Sequence, residues 1–473
     1  MCHTVSVNLV IWCLTLKDFP NLKITTDGDR HLGAVIGSET FRDEYIKAKV
    51  DGWVEDVKQL AEIAIDEPQA AYSAFVKGLC MRWTYIQRTV SDIGHLFQPL
   101  EDAIHNIFIP AMLGKPVTPI ERRILALPVR LGGLGIHDPT KTAAFEYSAS
   151  RKITEGLKEL IVRQNTSIEI LDNTQVKKTK QELKIAKENQ YKEELNYLIA
   201  NISPLKQRGL ELSREKSASS WLTALPLRHL GYTFNKQQFR DAICLRYNFG
   251  IQGIPKYCAC GTKNDITHAL TCKKGGYVTM RHNALRDCLA NTLKEVCADV
   301  RVEPQLLPVN PNDYHSRTNT SEGARLDISA VGVLGSFERT YFDVRVSHPN
   351  APSNVTLTLN DVYRKNEREK KDMYEERVIN SEKGSFAPLV FLTTGGMGPE
   401  CAAIVKRVAG MIANKRDEKY ADVMNHIRTK LRFALLKSIL IAVRGVRGRI
   451  EHDKMMGHAS LNLAPRRSNY EFI

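Results

Sequence analysis

Residues 324–346 read ARLDISAVGVLGSFERTYFDVRV. Runs of β-branched and aromatic residues lie on either side of Leu334-Gly335-Ser336, the pattern of two strands joined by a tight turn. Pairing symmetric about Gly335 sets Val333 opposite Phe337, and carried outward it sets Asp327 opposite Asp343. Directly opposed residues on one sheet face have Cβ atoms about 5 Å apart. Like charges that close repel unless a cation or a proton lies between them. Mg²⁺ takes one or two carboxylates together with water and substrate phosphate. The hairpin is therefore a candidate Mg²⁺ site with Asp327 and Asp343 as ligands. The same residues also read as two aspartates at solvated strand ends, or as a pair thrown out of register by a bulge.

Working upstream, residues 300–304 (VRVEP) form a short strand pattern carrying Glu303, and Leu285, Cys288, Leu289, Leu293 and Val296 mark a helix with one apolar face. Before that helix stand Arg281 and His282, and before them Cys258, Cys260, His268 and Cys272 in the spacing C-x-C-x7-H-x3-C. Thiolate and imidazole are the donors zinc prefers, and four protein ligands make a structural site with no open position. The Cys-x-Cys step is tighter than the common Cys-x2-Cys, which leaves Cys288 as a substitute ligand. Lys273 and Lys274 place positive charge beside this knuckle, where it suits contact with a nucleic-acid backbone.

Downstream, residues 363–378 (YRKNEREKKDMYEERV) read as a charged helix, residues 389–392 as a buried strand, and 401–415 and 424–449 as amphipathic helices. Arg444, Arg447 and Arg449 stand among glycines and suit phosphate contact or a frayed basic tail.

The N-terminal third is different. Residues 21–37 read as two short strands broken at Asp27-Gly28, a good turn dipeptide. Tyr45, Val50, Trp53, Val54, Val57, Leu60 and Ala61 recur at helical spacing, and further helices follow Pro68, cover 100–113 and start near Pro119. Glycines 132, 133 and 135 then force a loop. Residues 151–217 are rich in Lys, Glu and Gln without sustained heptads, the composition of a solvated helical connector. Residues 218–256 form a helical segment leading to the knuckle, with Phe239, Ile243 and Tyr247 on one face.

Composition bounds the class. Lys and Arg number 67 against 53 Asp and Glu, a net charge of +14, which suits a polyanionic partner. Ten cysteines are scattered except for the three in the knuckle, which points to a reducing compartment and not to a disulfide framework. The apolar run 5–16 lacks a basic n-region and is too short to span a bilayer, so it reads as a buried strand or residues 1–19 as an atypical leader, and no membrane segment is expected.

These motifs carry a resemblance. GDRHLGAVIG at 28–37, the helices after it and LPVRLGGLGI at 127–136 resemble the post-palm hairpin and thumb of a non-LTR retrotransposon reverse transcriptase, over residues 20–150. The knuckle, Arg281-His282, Glu303, Arg325-Leu326-Asp327 and Asp343 resemble the restriction-enzyme-like endonuclease at the C-terminus of early-branching non-LTR retrotransposons, a PD-(D/E)xK domain. The resemblance implies an α+β or α/β multidomain chain. Its parts would be the thumb-like region, the connector, a CCHC zinc knuckle at 257–280, a mixed-sheet nuclease flanked by helices at 281–450, and a flexible tail at 451–473. It implies DNA nicking with Mg²⁺ and structural zinc as cofactors, target DNA and element RNA as partners, and a nuclear location. Asp327 and Asp343 would hold metal, Glu303 would be an accessory acid, and Arg281, His282 and Arg345 would contact nucleic acid.

Two positions depart from the pattern: Leu326 stands where the family often has proline, and Arg345 where the class has its lysine. In this group the lysine comes from the following helix, which implies Lys371, with Lys365 and Lys370 close by. No Tyr-x-Asp-Asp box is present, so RNA copying is not expected of this chain. A zinc-containing nucleic-acid-binding remnant and a truncated reverse transcriptase subunit are the competing readings.

Overall fold

The computed structural model describes residues 25–162 and 173–445. The leader at 1–19, Arg447 and the tail at 451–473 lie outside them. The described residues mix helix and sheet and group into two compact units. One comprises residues 25–63, 74–111, 137–162 and 173–190; the other comprises residues 64–73, 112–136 and 191–445. These borders do not follow the expected ones at 150 and 217. The reason is local: Leu195, Leu198, Leu210 and Leu212 of the expected solvated connector are buried.

In the first unit, strands β1 (Gly28–His31) and β2 (Ala34–Gly37) pair antiparallel with Gly28 opposite Gly37. The turn is Leu32-Gly33, with φ of 48° and 84°, and not Asp27-Gly28. A two-residue hairpin of this twist needs positive φ at both positions. Gly33 takes one at no cost, and Leu32 is held in the other by the Tyr85 hydroxyl, which donates to its carbonyl. Helix α1 (Glu39–Asp66) buries Ile46, Val50, Trp53, Val57 and Ala61 along one stripe, and α2 (Pro68–Lys77), of which residues 68–73 belong to the second unit, restarts at a proline whose missing N–H is harmless there. The core of the unit is aromatic: Trp53 stacks on Phe97 at 6.0 Å and Phe75 on Phe108 at 4.7 Å. Glu146 of α3 (Pro139–Val162) accepts from Arg88 at 2.9 Å and from Lys187 of α4 (Asn173–Ala200) at 2.8 Å.

The second unit carries α5 (Lys236–Tyr247), α6 (Ile266–Thr271), α7 (Tyr277–Leu293), β3 (Ala298–Val302), β4 (Ile328–Val331) and β5 (Arg339–Ser347). It continues with α8 (Leu359–Arg377), β6 (Ser385–Leu392), α9 (Pro399–Arg416) and α10 (Tyr420–Arg444). The sheet order is β3-β4-β5-β6; β5 is antiparallel to β4 and parallel to β6, with α8 as the crossover. Ile328 pairs with Phe342 and Val331 with Arg339, the register symmetric about Gly335.

Side chains alternate across the sheet. Ile328, Ala330, Phe342 and Val344 join one core with Leu285 and Leu289 of α7, Val405 of α9 and Leu435 of α10. Tyr341 lies on the other face, in a core with Tyr374 of α8 and Phe386. Asp327 and Asp343 are out of phase with the first set, so they share the face that α8 covers. Among the described residues no helix is long and apolar enough to cross a membrane.

Candidate active site and metal centre

Asp327 and Asp343 line one cleft of about 530 Å³, walled by the start of α7, the end of β5 and the middle of α8. Asp327 leaves the ladder just before β4. Its Oδ2 accepts from the Val344 N–H at 2.6 Å, and its Oδ1 lies 2.8 Å from His282 Nε2. An ionised carboxylate only accepts, so with Asp327 charged the imidazole proton sits on Nε2. Asp343 is 6% exposed. Burial pushes its carboxyl up from the ordinary range; Lys370 opposes that shift and the charge of Asp327 adds to it.

The lysine is where the sequence reading needs correcting. Lys370 Nζ, not that of Lys371, lies 2.7 Å from Asp343 Oδ2. Lys371 pairs with Glu400 at 2.8 Å, and Glu400 holds its ammonium above the usual value. Neighbours on a helix point about 100° apart, so only one of the two can enter the cleft. Val362, Asn366, Lys370 and Tyr374 form a stripe of i,i+4 spacing whose other members are buried, and that spacing is the signal from which Lys370 could have been chosen. Asp343 Oδ2 is buried against the Lys370 ammonium, whose approach is close but not aligned as a regular hydrogen bond. That oxygen, next to a second carboxylate, is a fitting ligand for a hard divalent cation.

Glu303 does not line the cleft. Its carboxylate is taken by Arg286 and lies 3.8 Å from Arg325, because its backbone turns over at φ 52° as β3 ends. It acts on the site through the main chain, its N–H donating to the Asp327 carbonyl at 2.9 Å.

No protein-family model matches the chain, and no curated protein matches it.

The knuckle residues come together as spaced. The ligand atoms of Cys258, Cys260, His268 and Cys272 all lie within 4.8 Å of one another, with Cys258 and Cys272 sulfurs 3.9 Å apart and Cys260 Sγ 3.3 Å from His268 Nε2. The cluster can hold a metal such as zinc. Gly261 closes the tight turn at φ +85°, with its N–H donating to the Cys258 carbonyl at 2.9 Å. Asp265 then caps α6 by accepting from the His268 N–H at 2.7 Å, which fixes the face on which His268 and Cys272 meet the first two ligands. Cys288 is no substitute: it packs against the main core, and burial pushes its thiol up to about 11.

The expected nucleic-acid contacts divide. Lys273, His282 and Arg345 line the cleft, with Lys365 beside them. Arg345 donates to Asn366 Oδ1 at 3.2 Å and lies 4.0 Å from Glu369. Arg281 also borders the cleft, but it is 3% exposed and donates to the Leu270 carbonyl at 3.0 Å. Burial pulls its guanidinium down to about 10; it braces α6 against α7. Lys274 is exposed outside the cleft. Arg444 is committed elsewhere, donating to Asp241 Oδ1 at 2.8 Å and to the Gln252 carbonyl at 3.1 Å, because the last turn of α10 brings it against a buried acid. Asn366 and Glu369, which set Arg345, were not singled out by sequence reasoning.

Proposed function

We propose that this chain is a divalent-cation-dependent DNA endonuclease that nicks one strand, stabilised by a zinc-bearing knuckle. The observation that carries this reading is the sharing of one cleft by Asp327, Asp343, Lys370 and His282, with basic residues on its wall. Asp327 and Asp343 would hold the cation, and Mg²⁺ suits an all-oxygen donor set. Bound there, the ion would supply Lewis-acid stabilisation of the phosphate and a more acidic water. Lys370 would orient the attacking water and steady charge that develops on the phosphate. His282 fixes the Asp327 carboxylate by its hydrogen bond, and Glu303 fixes the Asp327 main chain. Lys273 and Arg345 would seat the backbone phosphates on either side. Cys258, Cys260, His268 and Cys272 would bind zinc as four-coordinate structural ligands.

The test is strand nicking of supercoiled plasmid by the full chain with added Mg²⁺. Cleavage is expected from the wild type and lost in both Asp327→Ala and Asp343→Ala; nicking that survives either substitution overturns the proposal. This reading belongs with a retrotransposon-derived protein acting on DNA, and on element RNA, in the nucleus.

A second reading is a zinc-containing nucleic-acid binder without cleavage. It is favoured by the ion pair that already neutralises Asp343. Salt-sensitive DNA binding with no Mg²⁺-dependent nicking would select it.

A further inference from the structure

The second unit contains a cavity of about 50 Å³ distinct from the carboxylate cleft, though His348 and Leu270 border both. Two arginines face it, Arg246 from α5 and Arg432 from α10, each 8% exposed. Arg246 donates to Ser219 Oγ at 2.8 Å and to the Val129 and Gly133 carbonyls, each at 3.3 Å. Arg432 donates to the Ala218 and Thr393 carbonyls, each at 3.2 Å. Every one of these acceptors is neutral, and among the described residues neither guanidinium has a carboxylate partner within ion-pair distance. Arg246 Nε is buried with no hydrogen-bond partner, though its guanidinium lies 5.5 Å from the centre of the Tyr247 ring.

Two unpaired buried cations beside one another are costly unless an anion compensates them. Burial and then the charge of Arg246 pull Arg432 down to about 9. The acid that acts on Arg432 is Glu215, and it is engaged elsewhere: Tyr363 donates to it at 2.6 Å and Thr394 reaches it at 3.5 Å.

The rest of the wall suits a small polar anion. Asn248 borders it with a neutral amide, while the Ser213 and Thr394 hydroxyls on the wall already donate to the Leu210 carbonyl and to Glu215. Asn350 turns a buried amide oxygen to no donor, and reversing that amide would present its NH₂ instead. The cavity is too small for a base or a sugar ring and is bounded by apolar side chains such as Trp221 and Leu436.

We propose that this cavity binds a tetrahedral oxyanion of the phosphate class between Arg246 and Arg432. The source is either free inorganic phosphate or the phosphate of a monoester whose remainder stays outside.

The experiment is calorimetry and thermal melting of the full chain in buffer free of phosphate and sulfate, with inorganic phosphate in one arm and AMP in the other. One-to-one saturable binding with a raised Tm is expected in at least one arm, and the arm that binds more tightly identifies the source. Arg432→Gln should weaken binding about tenfold, the scale of one charge-assisted contact. Should that variant fail to fold, Asn350→Asp serves: its carboxylate would occupy the anion's place, abolish the response and raise Tm without phosphate. Absence of saturable binding in both arms overturns the proposal, as does undiminished binding by Asn350→Asp.

Discussion

Lys370 Nζ lies 2.7 Å from Asp343 Oδ2, while the next side chain along α8 turns to Glu400. Two adjacent lysines thus have separate partners, and the difference can be measured. Lys370→Met should lower the Mg²⁺-dependent nicking rate about a hundredfold or more, the scale of a lost proton-transfer or orienting group. Lys371→Met should leave the rate within about a factor of three, well under one 1.4 kcal/mol step. Equal losses in both variants would refute the assignment.

The knuckle should carry one zinc per chain. Metal analysis of the purified protein should find it, and a thiol-specific mercurial should release it stoichiometrically. Because Asp265 and Cys272 cap the short helix that carries His268, metal loss should raise hydrogen exchange at 257–276 first and leave β5 and β6 protected. Cys260→Ser should do the same; Cys288→Ser should retain the metal.

His348 sets an acid limit on stability. It is 7% exposed, and burial, with Arg281 adding and Asp265 opposing, depresses its pKa from 6.5 to about 4. As pH falls below 6.5 the unfolded chain takes up this proton and the folded chain does not. The contribution is intact above 6.5 and is lost progressively down to about 4, reaching about 3 kcal/mol. His348→Asn lacks that group, so urea denaturation at pH 7 and pH 4.5 should show a steeper loss in the wild type than in the variant.

Arg444 should matter for stability and not for DNA. Its carboxylate partner, Asp241, has a side chain only 5% exposed while that of Arg444 is 31% exposed. Arg444→Ala leaves a buried carboxylate uncompensated, a loss of about 2 kcal/mol after allowing for the solvent that reaches the arginine. Its DNA affinity and the salt dependence of that affinity should match the wild type in a filter-binding titration.

The hairpin was legible because its evidence is local. The spacing of Asp327, Gly335 and Asp343 sets their pairing, and alternation then puts both acids on one face. The knuckle was legible for the same reason, since four ligands within 15 residues (258–272) need only a turn and one short helix. What the sequence hid depends on packing between distant segments. The choice of Lys370 over Lys371 follows from the rotation of α8 on the sheet, and the commitment of Arg444 follows from an acid some 200 residues earlier. Glu303 was misread because a single left-handed residue redirects it to Arg286. The turn at Leu32-Gly33 was missed because leucine is a poor occupant of positive φ, and a tyrosine far along the chain makes it tolerable.

The ladder between β4 and β5 also imposes a rule of parity on change in this chain. One residue inserted into either arm, within 328–331 or 339–342, would turn the carboxylate beyond it to the opposite side and leave Lys370 facing a single acid. The tip from Val333 to Phe337, where Phe337 is 98% exposed, lies beyond the last rung, the Gly332 N–H to Glu338 carbonyl bond, and can lengthen without that penalty. Variation in length along this ribbon should therefore collect at its apex and spare its arms.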